Sequence, residues 1–351
     1  MKKPDTFADT RPTAIDLARA AGVSLATVDR VLNARPGVRS ATIDKVNKAI
    51  ADLGYVRDSA AANLARRRVH NLLFILPETS NEFVKALEEQ VGQQNAKLRH
   101  QRTTLTKTRV PLFDPQAIVD TLNGLEPSHT QGVAVFGPET PSVRDAVKRA
   151  RARGIAVVSL VADLPSSDRD HFVGIDNVAA GRTAGQLMGR FVKRPGRVLI
   201  ITGSRLARDH LERRKGFDAT ISTDFPHLSV TASVEGRDDP ELVRKMLPEV
   251  IASYPDLCGI YSSAAGNPGL ISFLEDTRLH NDLVVIAHEL TASSRYALEK
   301  GIFDAIISQD TGHLVRSTIR LLKATADKML IDHTQERIRI DIYLRENMPS
   351  Q

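Results

Sequence analysis

Residues 14 to 33 read AIDLARAAGVSLATVDRVLN, and no other stretch narrows the chain's possibilities as far. Ile15, Leu17 and Ala18 form an apolar stripe that continues to Ala21. Gly22 can take the left-handed backbone of a tight turn, and Ser24 is placed to N-cap the helix that follows. In that helix Val28, Val31 and Leu32 recur at offsets of three and four, a buried face. Leu25, Ala26, Thr27 and Arg30 are left to project outward. The pattern predicts two short helices joined by a turn. Such a pair is either an ordinary αα-hairpin or a helix-turn-helix whose second helix enters the DNA major groove.

Charge favours the second reading. Residues 1 to 70 carry thirteen Lys or Arg against seven Asp or Glu, and the whole chain has a net charge of +6. The entire basic excess therefore sits in the first fifth of the protein, the footprint of a nucleic-acid module attached to a neutral one. A third helix is expected at about Ser40 to Leu53, with Ile43, Val46, Ile50 and Leu53 at helical spacing, and Gly54 ends it. The intervening ARPGVRS is a loop by its Pro-Gly pair. Next comes RDSAAANLARRR, residues 57 to 68. It reads as a plain linker, or as a segment too short and polar to be helical alone that folds on meeting DNA and a partner copy. In the second case Leu64 is suited to wedging between base steps from the minor groove.

From residue 70 the pattern changes. HNLLFILPE, GVAVFGPE, IAVVSLVAD, RVLIITGS, LSVTASVEG, CGIYSSAAG, LVVIAHELT and DAIISQDT read as strands. Between them lie amphipathic helices such as FVKALEEQVGQQNAKL and VRDAVKRARARG. This alternation predicts parallel α/β sheets covered on both faces, and about ten strands in two series suggest two lobes. Ligands bind beyond the carboxyl ends of strands in such sheets. Those ends lead to Asn81 and Phe83, to Asp163, to Arg208, Asp209 and His210, to Asn267, to His288 and Glu289, and to Gln309 and Asp310. Each singly reads as a loop residue or helix cap. Together they are carboxylates, amides and an aromatic, the chemistry that binds a polyhydroxylated ligand.

Other classes fit poorly. There is no GxxxxGK[ST], no GxGxxG after a strand, no GxSxG and no HExxH, and the ten histidines show no metal spacing. No enzyme, cofactor or metal site is expected; His210 and His288 read better as strand-end polar groups than as catalysts. No run of about 18 apolar residues is present to span a membrane. MKKPDTFADTRPTAID lacks the apolar segment of a secretory signal, so a transport receptor of similar fold is disfavoured. Cys258 is the only cysteine, which suits a reducing cytoplasm.

AGVSLATVDRVLN, PGVRSATIDKVNKAIADLGYVRD and ANLARRR together resemble the LacI/GalR family of transcriptional regulators. FVGIDNVAAGRTAGQLM, ERRKGF and the late ISQD resemble that family's ligand domain, which is like the periplasmic sugar-binding proteins. The resemblance implies an all-α helix-turn-helix head and hinge helix joined to an α/β two-lobed domain. The boundaries are a tail at 1–12, the head at 13–58, the hinge at 59–69 and the two-lobed domain at 70–351. Lobe 1 is expected at about 70–172 plus 303–330, and lobe 2 at about 173–302 plus a C-terminal strand. By position, Leu25 and Ala26 read operator bases, Thr27 and Arg30 hold the DNA backbone and a base edge, and Leu64 intercalates. Thr13, Ser24, Asn33 and Asn63 join them as DNA contacts. Asn81, Phe83, Asp163, His210, Asn267, Glu289 and Gln309 become effector contacts. Asp29 departs from the serine usual in the family, and Val161-Ala162-Asp163 stands where many members have an arginine. The implied function is a homodimeric repressor on a near-palindromic double-stranded operator, controlled by a sugar, cyclitol or related polyol.

Overall fold

The computed structural model describes residues 12–32, 36–53, 55, 69–332 and 334–350, and the chain divides into two compact units between residues 68 and 69. The smaller unit contains α1 (Ala14–Ala21), α2 (Leu25–Leu32) and α3 (Ser40–Leu53). Thr13 and Asp16 form a reciprocal cap at the start of α1: Asp16 N–H donates to Thr13 Oγ1 at 3.3 Å and Thr13 N–H to Asp16 Oδ2 at 2.9 Å. Gly22 ends α1 with φ 64°, and Val23 N–H reaches the Ala18 carbonyl at 3.0 Å, so the left-handed residue reverses the chain within two positions. Ser24 caps α2 as expected, its Oγ accepting from Thr27 N–H at 3.2 Å.

Leu17, Ala18, Val28, Val46 and Ala49 form the core of this unit, with Val31, Leu32, Ile50 and Tyr55 packed against it. Two expected core residues lie outside it: Ile15 is 59% exposed and Leu53 36%. Ile15 is two residues from Leu17, which puts it on the opposite side of a 3.6-residue helix. Leu53 is the last residue of α3, beyond the reach of this small core. The expected hinge at 59–69, apart from Val69, lies outside the described residues, as do Asn33, Asn63 and Leu64.

The larger unit holds two sheets. The first contains β1 (His70–Glu78), β2 (Thr103–Pro111), β3 (Gly132–Val135), β4 (Ala156–Leu160) and β5 (His171–Val173), in the order β2-β1-β3-β4-β5 and all parallel. The second contains β6 (Gly196–Thr202), β7 (Leu228–Glu235), β8 (Leu257–Ser262), β9 (Val284–His288), β10 (Ala305–Ser308) and β11 (Asp341–Tyr343). Its order is β11-β10-β9-β8-β6-β7, and only β11 runs antiparallel to its neighbour. Strands β2 and β5 are additions to the sequence reading. TTLTKTRVP alternates but puts only Leu105 and Val110 among its buried apolar residues, and β5 is three residues long.

Helices α4 (Glu82–Leu98), α5 (Pro115–Asn123) and α6 (Pro141–Ala152) follow the first three strands, and α7 (Asn177–Phe191) leads into the second sheet. There α8 (Arg208–Asp224), α9 (Pro240–Ala252), α10 (Asn267–Thr277) and α11 (Ala292–Glu299) connect successive strands. The last helix, α12 (Thr311–Asp327), returns to pack on α4, β3 and β4. The lobe boundary therefore falls later than expected: residues 305–308 pair with β9 in the second sheet, and α12 then crosses back to the first. The β1 strand is buried along almost its whole length, as a central parallel strand covered on both faces must be. The same strand order in both sheets places a switch point between β1 and β3 and another between β6 and β8, where ligands gather in such folds.

Candidate ligand cleft and nucleic-acid interface

On the small unit, α2 presents Leu25, Ala26 and Arg30 to solvent, with Leu25 49% exposed. Thr27 is half-buried and its hydroxyl lies 2.9 Å from that of Ser24. The Thr13 hydroxyl donates to Asp16 at 2.7 Å. Thr13, Ser24 and Thr27 therefore stiffen the N-terminal ends of α1 and α2, while α2 offers an apolar surface in its first turn, Leu25 and Ala26, and a guanidinium, Arg30, in its last. That combination can meet a thymine methyl and a guanine edge.

Within the large unit, the carboxyl ends of both sheets open onto one cleft. Asn81, Phe83, His210, Asn267 and Glu289, expected from four different strand ends, all line it. Asn81 also caps α4, its Oδ1 accepting from Phe83 N–H at 2.8 Å. The Asn267 amide is held at both ends: Oδ1 accepts from Ser262 Oγ at 2.7 Å and Nδ2 donates to the His288 carbonyl at 3.2 Å. Glu289 is backed by Gln309, whose Nε2 donates to Oε1 at 2.9 Å.

Two expected contacts take other roles. Gln309 is buried behind Glu289 and is absent from the cleft wall, so it orients the carboxylate. Asp163 is also outside the wall. Its carboxylate accepts from Arg169 Nη2 at 2.7 Å, Ser159 Oγ at 2.9 Å and Leu164 N–H at 2.7 Å, an internal clamp on the loop after β4. Burial pushes the Asp163 pKa up, but the hydrogen bond and charge of Arg169, with Ser159, outweigh it and hold the group below 3.8. Arg208 pairs with Glu212 and, across the mouth of the cleft, with Glu139 at 2.5 Å. On the opposite lip Ser293 Oγ donates to Glu82 at 2.6 Å. These contacts join the two lobes.

The cleft contains charged groups that sequence reasoning missed. Arg213 on α8 is buried, donating to Asn177 Oδ1 and the Ser263 carbonyl, each at 2.9 Å, and lies 3.5 Å from Glu289 Oε1. The signal was available: Asp209, Arg213, Phe217 and Thr220 recur on one helical face, and a charge among core positions is rarely idle. Asp238 accepts from Ala265 N–H at 3.1 Å. Any Cβ at Gly203 would come within 2.6 Å of both Asp238 Oδ1 and His210, so that glycine lets the two side chains close over the backbone.

Burial raises the pKa of both Glu289 and Asp238, opposed by Arg213 in the first case and by His210 in the second. His288 is held neutral: burial, then the nearby Arg213 charge, lowers its pKa well below 6.5. Its Nε2 lies 2.8 Å from the Tyr261 hydroxyl, and its Nδ1 is buried without a hydrogen-bond partner. The wall from lobe 2 thus offers carboxylates, an amide, two imidazoles and one guanidinium in a low-dielectric setting, where each ligand hydrogen bond counts for more.

Comparison with known proteins agrees with both halves. A family model of bacterial regulatory proteins, lacI family, matches residues 13–58, and one of the periplasmic binding protein domain matches residues 72–328. Catabolite control protein A of Staphylococcus xylosus is 41% identical over 75 residues, 21% of this chain and 23% of that protein. The HTH-type transcriptional regulator DegA of Bacillus subtilis is 26% identical over 175 residues, 50% of each. The matched stretches span from 23% to 71% of the curated relatives' own length. Among solved structures, an ABC transporter solute-binding protein from Burkholderia graminis in complex with D-arabinose superposes with a TM-score of 0.72 at 22% identity. That match covers 80% of this chain and 97% of the other, and it shows the shared fold. With a two-lobed fold, a cleft at its switch points and both family models in order, the chain belongs to the periplasmic binding protein domain family and carries a lacI-family helix-turn-helix at its head.

Proposed function

We propose that this protein is a sequence-specific DNA-binding transcription regulator, acting as a repressor, whose hold on DNA is set by a sugar or related polyol in the cleft. The observation that carries the reading is the union, in one chain, of a basic helix-turn-helix with Leu25, Ala26 and Arg30 exposed and a domain whose cleft is walled by buried polar groups. The names of the relatives point the same way, and the sugar held by the solute-binding protein of like fold supports a polyol ligand. One recognition helix covers only a half-site, so a homodimer on a near-palindrome follows. No described helix is long and apolar enough to cross a membrane, and we place the protein in the cytoplasm with its DNA. It acts by binding and not as an enzyme.

Selection of duplexes from a random pool by the full chain, followed by stoichiometry and salt titration, tests this. Near-palindromic sites bound by two copies are expected, with a log–log salt slope of about 0.9 per phosphate contact. One copy on an asymmetric site with flat salt dependence would overturn the reading.

A further inference from the structure

The five strands of the first sheet run parallel, so their amino ends lie together, at the end of lobe 1 opposite the cleft. Backbone hydrogen bonds tie that end together. His70 N–H donates to the Arg102 carbonyl at 2.9 Å, Gln131 N–H to the Asn71 carbonyl at 3.0 Å and Ala156 N–H to the Gln131 carbonyl at 3.0 Å. The buried His70 also pairs with Asp327 at 3.1 Å, which brings the last residue of α12 to the same place.

This end is basic. Arg99 opens the 3₁₀ turn ahead of β2 and Arg102 follows that turn; Arg149 and Arg153 close α6, and Lys328 follows α12. All five are exposed, and among the described residues none is in an ion pair with a carboxylate. The carboxylates nearby are largely engaged. Asp170 accepts from Arg151 Nη2 at 2.6 Å and from Val157 N–H at 2.8 Å, Asp327 is taken by His70, and Glu126 is exposed beside His129. Residues 71–351 have no net charge, because the +6 of the whole chain equals that of residues 1–70. The cations here are therefore segregated within a neutral domain, which gives one end of it a positive field.

Two of these side chains are already positioned. Arg153 donates Nη1 to the Asn123 carbonyl at 2.7 Å and Nη2 to the Leu122 carbonyl at 2.6 Å, and Arg149 donates Nε to Asn123 Oδ1 at 3.1 Å. Those partners are neutral, so they fix the guanidiniums without cancelling their charge, and each keeps further N–H donors. Arg102 (φ 53°) and Lys328 (φ 55°) hold left-handed caps where glycine is the usual residue, and backbone strain of this kind gathers at functional surfaces. The chain leaves this same end at Val69 and reaches the head through thirteen residues, 56–68, which span at most about 50 Å even when fully extended. DNA held by the head is within the tether's reach of these cations.

We propose that the amino end of lobe 1 is a second DNA surface, which holds phosphates of the duplex flanking the half-site bound by the head. This rests on reading the head as a DNA-binding module. Contacts of this kind carry no base information; they add affinity and salt dependence.

The test is fluorescence anisotropy with the full-length protein and two duplexes of one length and sequence. Both carry sites selected from a random pool, with about ten base pairs, one helical turn, on either side. In one of them the flanking phosphates are replaced by uncharged methylphosphonates. The wild type should bind the fully charged duplex more tightly, with a log–log salt slope steeper by about 0.9 for each flank contact. With two such contacts the preference should shrink about tenfold between about 50 and 200 mM salt. A chain carrying Arg99→Gln, Arg102→Asn and Lys328→Asn should lose most of the preference and bind the methylphosphonate duplex as the wild type does. Asparagine tolerates φ near 55°, so its melting temperature should not fall. Arg99→Gln alone, which touches no left-handed position, should lower the slope on the charged duplex by about 0.9. If the wild type binds both duplexes equally, or if these variants keep the full preference, the inference fails and the reading of the head stands. If neither duplex is bound, both fall.

Discussion

Arg30 is exposed in the last turn of α2, where a guanidinium can make a bidentate contact with guanine. Arg30→Ala should cost about 1–3 kcal/mol in specific DNA binding if it does so. Leu25 has no hydrogen-bonding group, so exchanging it should change sequence preference more than affinity. A selection that returns the same sites for wild type and a Leu25 variant would contradict that assignment. In the large unit, the Asp163–Arg169 clamp gives a pH-dependent prediction. Asp163 has its folded pKa depressed, so its contribution is present above 3.8 and is lost as pH falls through the lower folded value. Arg169→Ala should therefore destabilise the protein by about 1–3 kcal/mol at pH 7. The difference from wild type should shrink toward pH 3 in urea melts. A difference independent of pH would mean that Arg169 acts through packing alone.

At the scale of elements, the site depends on how closely α7 and α8 approach. A Cβ on Gly216 would lie 2.0 Å from the Val178 carbonyl oxygen, and one on Gly181 would lie 1.9 Å from that of Arg213. These are backbone atoms, which cannot swing aside. Gly→Ala within a helix normally gains about 1 kcal/mol, but overpacking costs about 1–3 kcal/mol or more. Gly216→Ala should lower the melting temperature and weaken ligand binding by displacing Arg213; an unchanged or raised melting temperature would show that the helices can separate freely. Most of these elements were legible in the sequence, because buried parallel strands read as apolar runs and their ends mark the cleft. The helix-turn-helix was legible from Gly22, Ser24 and the Val28–Leu32 spacing. What escaped has physical reasons. The β2 strand is an edge whose exposed positions are Thr, Lys and Arg, so it reads as polar. Arg213 was hidden in a helix that looks charged all round. The partners of Asp163 and Gln309 are side chains brought together only by folding, and no strand-end rule shows that Arg169 or Glu289 has already claimed them.

At the scale of the whole molecule, the proposed function requires that cleft occupancy and DNA affinity be linked in one chain. Lobe closure is the obvious carrier, since Glu82–Ser293 and Glu139–Arg208 bridge the lips and a ligand between the lobes favours one arrangement by its differential affinity. The direct measurement is fluorescence anisotropy of a selected operator duplex, titrated with full-length protein with and without a saturating compound shown by calorimetry to bind the cleft. Glu289→Ala serves as a control that disables the cleft and leaves the head intact. The compound should change wild-type operator affinity by about 5–150-fold, and the variant should bind the operator normally without responding. Identical operator affinity with and without a compound that demonstrably occupies the cleft would contradict the proposed function.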